Sequence, residues 1–153
     1  MKERIFLALV LFLSVTAICF AAENLLVDDF EISVSSGPNG TVDFGAGNGS
    51  TVSVTAATDV KNTGKQALKV DFDAVSGGYM YVARGEGLDA HNSGWLVNPE
   101  DIKWQDYQAF SFYMYGLDSK GRIAFDVKDN GNEIWRFIVE DNFKGWKQII
   151  CNF

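Results

Sequence analysis

The sequence has 153 residues, of which 47% are hydrophobic and 14% aromatic, and its 13 basic and 20 acidic side chains give a net charge of −7. This length suits one domain with one hydrophobic core. Only 2 prolines and 22% charged residues exclude the composition of a disordered protein. A pI near 4.6 excludes the basic stripe that proteins use to bind phosphate backbones, so we do not expect nucleic acid as a partner.

Residues 1–21 have the pattern of a secretory signal peptide. A charged start is followed by an almost wholly apolar run to Phe20 and by the small residues Ala21 and Ala22, as in a cleaved leader. An uncleaved membrane anchor is the alternative, although the run is short for spanning a bilayer. We expect residues 22–153 to form one secreted domain, extracellular or periplasmic, with no membrane contact after cleavage.

The rest of the chain shows the alternation of apolar and polar residues that is typical of β-strands, and no stretch has helical spacing. Candidate strands lie at residues 42–44, 52–56, 67–73, 78–84, 109–115, 122–128, 133–139 and 146–151. Asp129-Asn130-Gly131 predicts a tight hairpin, because Asn and Gly accept the positive φ of such turns. Strands at this spacing, without intervening helices, predict an all-β sandwich or jelly roll.

Alternation within the strands predicts which side chains form the core. One phase carries bulky apolar residues: Leu68, Val70, Phe72, Phe110, Phe112, Met114, Ile123, Phe125 and Val127. The opposite phase carries Tyr113, Tyr115, Arg122 and Asp126. The strand at 78–84 is ambiguous, and its Tyr79 and Tyr81 point outward if Met80 and Val82 are core.

Outward tyrosines beside charged and amide side chains suit carbohydrate recognition. An aromatic ring covers the apolar C–H face of a pyranose, and polar side chains hydrogen-bond its hydroxyls. The candidate binding residues are therefore Tyr79, Tyr81, Tyr113, Tyr115, Arg122, Asp126 and Trp135. Ordinary cross-strand pairs are the alternative for the tyrosines. Trp135 fits the core as well as a ligand face, and spacing does not decide between the two.

Asp28, Asp29 and Glu31 place three carboxylates within four residues near the start of the domain. Such oxygen-rich clusters suit calcium, and a solvated acidic strand end is the alternative. The single histidine, His91, supplies neither a zinc site nor a histidine-based catalytic triad. After cleavage Cys151 is the remaining cysteine, so no internal disulfide is expected, and it fits a small buried hydrophobic residue.

Five short strings occur in order over residues 26–153. They are LVDDFE at 26–31, GKQALKV at 64–70, WQDY at 104–107 leading into FSF at 110–112, EIW at 133–135, and GWKQI at 145–149. Together they resemble carbohydrate-binding modules of the family 11 type and their galactose-binding-like relatives. The resemblance implies a β-jelly roll with structural calcium and a concave face that holds a β-glucan chain, usually as a non-catalytic appendage of a cellulase or similar enzyme.

The resemblance also implies roles for single residues. Asp29 and Glu31 match the acidic motif whose side chains tend to hold calcium in such folds. Tyr79 and Tyr81 fall on the strand that supplies a cleft tyrosine, and Asn130 lies in the turn that supplies a polar cleft residue. After the Gly-Trp-Lys strand the family continues with a Pro-Phe pair, a loop bearing Arg and Tyr and a last strand. Here the residues in that place are 151–153, so we expect either a fragment or a shortened domain.

We therefore expect a secreted module that binds a β-glucan or cellulose-type polysaccharide without catalysis. Its expected context is a glycoside hydrolase such as a cellulase, or a cell-surface assembly. A structural or adhesion domain without sugar binding is the alternative. A hydrolase is a third hypothesis, for which the sequence offers no recognisable arrangement around a nucleophile.

Overall fold

The computed structural model describes residues 24–36, 40–84, 93–129, 131 and 133–153. The predicted signal peptide, His91 and Asn130 lie outside the described residues. In these ranges the chain forms eight strands, namely β1 (Val42–Gly47), β2 (Thr51–Ala57), β3 (Ala67–Asp73), β4 (Tyr79–Arg84), β5 (Ala109–Leu117), β6 (Arg122–Lys128), β7 (Ile134–Glu140) and β8 (Lys144–Asn152). Each corresponds to a predicted strand, with ends that differ by three residues or fewer, so the all-β prediction is confirmed.

Two short 3-10 turns, Pro99–Asp101 and Trp104–Asp106, lead into β5. The Trp104 indole N–H donates to the Pro99 carbonyl at 3.0 Å, which ties the second turn back to the first. The Trp104 ring also packs edge-on against Phe153, with centroids 6.0 Å apart. Over the part of the chain that the structure describes, no helix has the length and apolar content needed to cross a bilayer.

The strands pair antiparallel as β1 with β4, β2 with β3, β5 with β8, and β6 with β7. β1 and β2 are consecutive in the chain, yet they pair with different strands. A tight turn joins them, in which the Ser50 N–H donates to the Gly47 carbonyl at 3.2 Å and Gly49 has φ +90°. This left-handed conformation favours glycine, and it lets the chain pass from one strand pair to the next within three residues.

The packed interior of the C-terminal half lies between β5 and β6. The rings of Phe110 and Phe112 on β5 stack on Phe125 of β6, with centroids 5.3 and 4.6 Å away. Cys151 lies opposite Phe110 in the β5–β8 register and is 3% exposed. Burial raises the pKa of its thiol, which keeps it neutral. The predicted core phase of β5 and the predicted burial of Cys151 are confirmed.

The predicted core phase of β3 is wrong for two of its three residues. Val70 is 37% exposed and Phe72 is 52% exposed, and Ile123 on β6 is also 37% exposed. β2 is the member of the β2–β3 pair that packs against β1 and β4. β3 is therefore left open to solvent. Alternation along a strand does not reveal whether another element covers the apolar face of that strand.

The hairpin between β6 and β7 is confirmed, with Lys128 opposite Ile134. Its loop spans residues 129–133, where the Asp129 N–H donates to the Glu133 carbonyl at 3.1 Å and the Glu133 N–H donates to Asp129 Oδ1 at 2.8 Å. This loop is longer than the two-residue turn that Asn-Gly favours. The Asp129 side chain supplies one of the hydrogen bonds that close it.

Asp141 holds the turn between β5 and β6, a role that the sequence pattern did not reveal. Its carboxylate accepts the backbone N–H groups of Leu117, Asp118 and Ser119 at 3.0, 3.1 and 2.9 Å. Hydrogen bonds from Ser119, with those from the other two backbone groups, hold the pKa of Asp141 below its usual value. The ionised carboxylate therefore stabilises this turn.

Candidate functional site

The β1–β4 sheet carries Tyr79 and Tyr81 on one face. Tyr79 lies opposite Gly47 and Tyr81 opposite Gly45. Because glycine has no side chain, the rings lie close over the β1 backbone: a Cβ at Gly47 would lie 2.5 Å from Tyr79 Cε1, and a Cβ at Gly45 would lie 2.8 Å from Tyr81 Cε1. The two tyrosines are nevertheless 58% and 42% exposed. We call these four residues the β4 tyrosine face.

Asp43 continues this face along β1, since residues 43, 45 and 47 share one side of the strand. The Tyr81 hydroxyl donates to Asp43 Oδ1 at 3.4 Å. The negative charge of Asp43 raises the pKa of Tyr81, so its phenol stays protonated at neutral pH. Together with Asp43, the β4 tyrosine face thus offers aromatic rings, a carboxylate and a hydroxyl that can hydrogen-bond a ligand.

Arg84 lies on the opposite side of β4 and anchors the strand. Its guanidinium donates from Nε to Asp28 Oδ2 at 2.8 Å, and from its two terminal nitrogens to the Thr41 and Ser93 carbonyls at 3.0 and 2.9 Å. Asp28 also accepts the Phe30 N–H at 2.9 Å. Arg84 therefore fixes the end of β4 to segments before and after it in the chain.

Two aromatic rings flank the same guanidinium. The Phe30 centroid lies 5.2 Å from Arg84 Cζ and the Trp95 centroid lies 5.5 Å from it, distances that suit cation–π attraction. From the sequence, Asp28 was assigned to an acidic cluster and Arg84 was not singled out. Arg84 could have been recognised from its place in the apolar phase of β4. A charged side chain on the core side of a strand needs a partner.

The candidate calcium ligands Asp29 and Glu31 lie in the segment before β1. Asp29 Oδ1 accepts the Glu31 N–H at 3.0 Å. Glu31 Oε1 accepts the Lys65 N–H at 2.8 Å and the Gln66 N–H at 3.4 Å. The two carboxylates therefore help attach this segment to the turn before β3.

The Gln66 side-chain amide donates to the carbonyls of Phe30 and Ile32, both at 2.7 Å. The two carbonyl oxygens therefore converge on the Gln66 amide nitrogen. Carboxylate and carbonyl oxygens are the ligand types that calcium takes, so the donor set fits this ion in kind. Among the described residues, no three His, Cys, Asp or Glu side chains are grouped as a metal site.

Tyr113 and Tyr115 lie on a different sheet from Tyr79 and Tyr81. On the β5–β8 sheet Tyr113 is opposite Gln148 and Tyr115 is opposite Trp146, and the last two rings meet edge to face at 5.4 Å. Tyr113 and Tyr115 are 54% and 43% exposed, as their predicted phase requires. The four tyrosines are therefore outward, but they form two pairs rather than one cluster.

The other predicted binding residues lie on the β6–β7 sheet and on both of its faces. Asp126 accepts two hydrogen bonds from Arg136, at 2.8 and 2.7 Å, and this partner lowers the pKa of Asp126. Arg122 lies opposite Glu140 on the same face as Asp126. Trp135 lies opposite Val127 on the other face, in the phase of Phe125. These residues therefore do not form one site, and Asn130 lies outside the described residues.

The comparison with protein families decides the assignment. The family described as carbohydrate binding domain (family 11) matches residues 16–153. The chain belongs to this family. Membership confirms the resemblance, and it identifies this all-β chain as a carbohydrate-binding module whose ligand is a polysaccharide. The comparisons with curated proteins and with solved structures gave no match.

Within this family 11 module, two groups beside the tyrosines were missed from the sequence. The predicted strand ended at residue 44, which left Gly45 and Gly47 outside it, although glycine inside a strand often marks a close approach of another group. Asp43 was not singled out, because its contact with Tyr81 depends on the pairing of β1 with β4. The register of these two strands is what brings the three residues to the tyrosines.

Proposed function

We propose that this family 11 module is the non-catalytic binding domain of a secreted protein and that it binds a β-glucan chain on the β4 tyrosine face. The observation that carries the proposal is the pair of half-exposed rings, Tyr79 and Tyr81, held over Gly47 and Gly45. Family membership supports a polysaccharide ligand. The resemblance of the five sequence strings supports a β-glucan within that class.

The binding mechanism follows from the two ring positions. Tyr79 and Tyr81 are two residues apart on one face of β4, which separates their Cα atoms by roughly 7 Å. A linear chain laid along the strand therefore meets both rings, and each ring covers the C–H face of a sugar. Asp43 and the Tyr81 hydroxyl hydrogen-bond sugar hydroxyls. No bond is broken, and the open face buries little of the ligand, so the affinity is modest.

Charge favours a neutral polysaccharide over an acidic one. The chain has a net charge of −7, and Asp43 is the charged side chain in contact with the tyrosines. An anionic polymer approaching this face meets repulsion from both. A neutral glucan meets none, and its hydroxyls can donate to the Asp43 carboxylate.

Affinity electrophoresis tests the proposed function. The protein is run in native gels that contain mixed-linked β-glucan, hydroxyethyl cellulose or polygalacturonate, with a non-binding protein as reference. We expect retarded migration in the two β-glucan gels and none in the acidic polymer. Unretarded migration in every gel would overturn the proposal. Release of reducing sugar from the same polymers would instead favour the hydrolase hypothesis.

We also propose that calcium stabilises the domain through Asp29 and Glu31. The support is the chemistry of the donors, since this short segment carries two carboxylates and two backbone carbonyl oxygens that converge on the Gln66 amide nitrogen. Bound calcium would fix the segment before β1, whose Asp28 pairs with Arg84 of β4. Binding to the folded state alone would raise the stability of the domain.

Secretion and association with a parent enzyme are further parts of the proposal. The pattern of residues 1–21 supports an export signal, and the resemblance supports attachment to a glycoside hydrolase or a cell-surface assembly. Mass spectrometry of protein exported from an expressing cell tests the first part. We expect a mature N-terminus at residue 22, and an N-terminus at Met1 on the exported protein would overturn it.

A further inference from the structure

We propose that the β5–β8 sheet carries a second polysaccharide-binding surface, so that one molecule holds two segments of glucan. This proposal rests on the proposed function, because it assigns the same class of ligand to a second place. The second surface consists of Ser111, Tyr113 and Tyr115 on β5 and of Trp146, Gln148 and Ile150 on β8. We call these six residues the β5–β8 face.

The register defines this face. Ser111 lies opposite Ile150, Tyr113 opposite Gln148, and Tyr115 opposite Trp146, and directly paired residues of antiparallel strands point to the same side of a sheet. The other side of β5 is occupied, because Phe110 and Phe112 stack on Phe125. The β5–β8 face is therefore the outward side of a sheet whose inward side is already packed.

The aromatic part of the face has a fixed geometry. Tyr115 and Trp146 meet with centroids 5.4 Å apart and planes at 73°, and this contact restrains the Tyr115 ring. Tyr113 follows two residues along β5 on the same side. Both tyrosines keep about half of their surface exposed. A sugar chain that runs along β5 therefore meets one restrained ring and then a second.

The polar part of the face is uncharged. The Gln148 side-chain amide donates to Ser111 Oγ at 3.3 Å, which leaves the amide oxygen, a second amide hydrogen and the serine hydroxyl for a ligand. The six residues include no ionisable acid or base other than the tyrosine phenols. Aromatic rings next to amide and hydroxyl groups match a neutral polysaccharide better than a charged polymer.

A cleft continues the face at its Ser111 end. It has a volume of about 350 Å³ and is lined by Ser111, Gln148 and Ile150 of the face, together with Asn24, Asp106 and Gln108 among others. A chain laid over Tyr115 and Tyr113 would enter this cleft, where Asp106 and Gln108 add acceptors and donors for its hydroxyls. From Tyr115 to Ser111 the strand runs for roughly 13 Å, which is long enough for more than one ring contact.

Two surfaces on separate sheets predict two bound ligands per molecule. Isothermal titration with a short cello-oligosaccharide therefore gives a stoichiometry near two for the wild type. It gives one for Tyr113→Ala/Tyr115→Ala and one for Tyr79→Ala/Tyr81→Ala. Each double variant binds polymeric β-glucan about tenfold more weakly than the wild type does. Two ring contacts are lost, and one polymer chain can no longer bind to both surfaces at once. Phe72→Ala is the control, as Phe72 is an exposed aromatic residue on β3, away from both surfaces.

The outcomes of this titration distinguish a failure of the second surface from a failure of the proposed function. Binding by the wild type with a stoichiometry of one, unchanged in Tyr113→Ala/Tyr115→Ala, leaves the β4 tyrosine face in place and overturns the second surface. No binding by the wild type overturns both proposals. If the double variant fails to fold, as judged by its melting curve, Gln148→Ala takes its place and should weaken binding several-fold. Sedimentation that shows a dimer lost in Tyr113→Ala, with glucan binding unchanged, would reassign the face to self-association.

Discussion

Arg84 Nε lies 2.8 Å from Asp28 Oδ2, and the two side chains are only 12% and 8% exposed. This ion pair joins the end of β4 to the segment before β1. Tyr79 and Tyr81 stand on the same strand, with their rings over the glycines of β1. The buried pair on one side of β4 therefore helps to fix the strand whose other side presents the tyrosines.

Removal of Arg84 should destabilise the fold strongly. In Arg84→Ala the Asp28 carboxylate stays buried without its partner, so we expect a loss of about 3–5 kcal/mol in the free energy of unfolding. Urea denaturation measures this loss. Arg136→Ala is the matched control, because its pair with Asp126 has side chains that are 60% and 34% exposed, and exposed pairs contribute little. Equal losses in the two variants would contradict the anchoring role of Arg84.

A methyl group at Gly47 should weaken sugar binding without unfolding the domain. The added Cβ would overlap the Tyr79 ring, so Gly47→Ala moves the ring away from its place over β1. We expect binding to β-glucan to fall several-fold while the melting temperature changes little. Gly121→Ala is the control, since the nearest atom to its added Cβ is Ser119 Oγ at 3.2 Å and no ring lies there. Unchanged binding by Gly47→Ala would show that the position of the Tyr79 ring does not contribute to sugar binding.

The pKa of Asp141 predicts an acid-sensitive turn. Its folded-state pKa lies below the usual 3.8, so the folded protein binds this proton less readily than the unfolded chain does. The resulting stabilisation is complete above the unfolded pKa and is lost as the pH falls through the folded pKa. Asp141→Asn should therefore be less stable at pH 7, and its stability should depend less on pH below about pH 4.

Thermal melting from pH 7 down to pH 2 measures this dependence. Asp71→Asn is the control, because the Asp71 pair with Lys69 is exposed on β3, and its profile should follow that of the wild type. An Asp141→Asn profile that runs parallel to the wild type at every pH would contradict the assignment of the acid sensitivity to this carboxylate.

The strands were predictable because their alternation is strong. Phe110, Phe112 and Met114 alternate with Ser111, Tyr113 and Tyr115, and each set lies on the expected side of β5. Alternation fixes the side of a residue relative to its own strand, since successive side chains point to opposite faces. It does not show whether that side is covered, which is why Phe72 was wrongly placed in the core.

The arrangement of the candidate site depended on pairing, which the sequence does not specify. β1 pairs with β4 and β5 pairs with β8, and these partners are distant in the chain. Tyr79 and Tyr113 were therefore both predicted to point outward from their strands, but they lie on different sheets. The contacts of Arg84 and Asp141 were unpredictable for the same reason, because each binds backbone groups of another segment.

Calcium should raise the melting temperature of the domain if Asp29 and Glu31 bind it. A ligand at 100 times its Kd adds about 2.7 kcal/mol to the free energy of unfolding, so the midpoint should rise by several degrees with calcium and fall with a chelator. Asp29→Asn should abolish this response, whereas Glu133→Gln in the β6–β7 loop should retain it. Identical melting of the wild type with calcium and with chelator would contradict the calcium site.

The decisive measurement of sugar binding on the β4 tyrosine face is the affinity of Tyr79→Ala/Tyr81→Ala for soluble β-glucan. Phe72→Ala serves as the control, because Phe72 is an equally exposed aromatic residue on β3. We expect a Kd at least tenfold weaker for the double tyrosine variant, with an unchanged melting temperature and with wild-type affinity for Phe72→Ala. Wild-type affinity in the folded double variant would contradict sugar binding on this face.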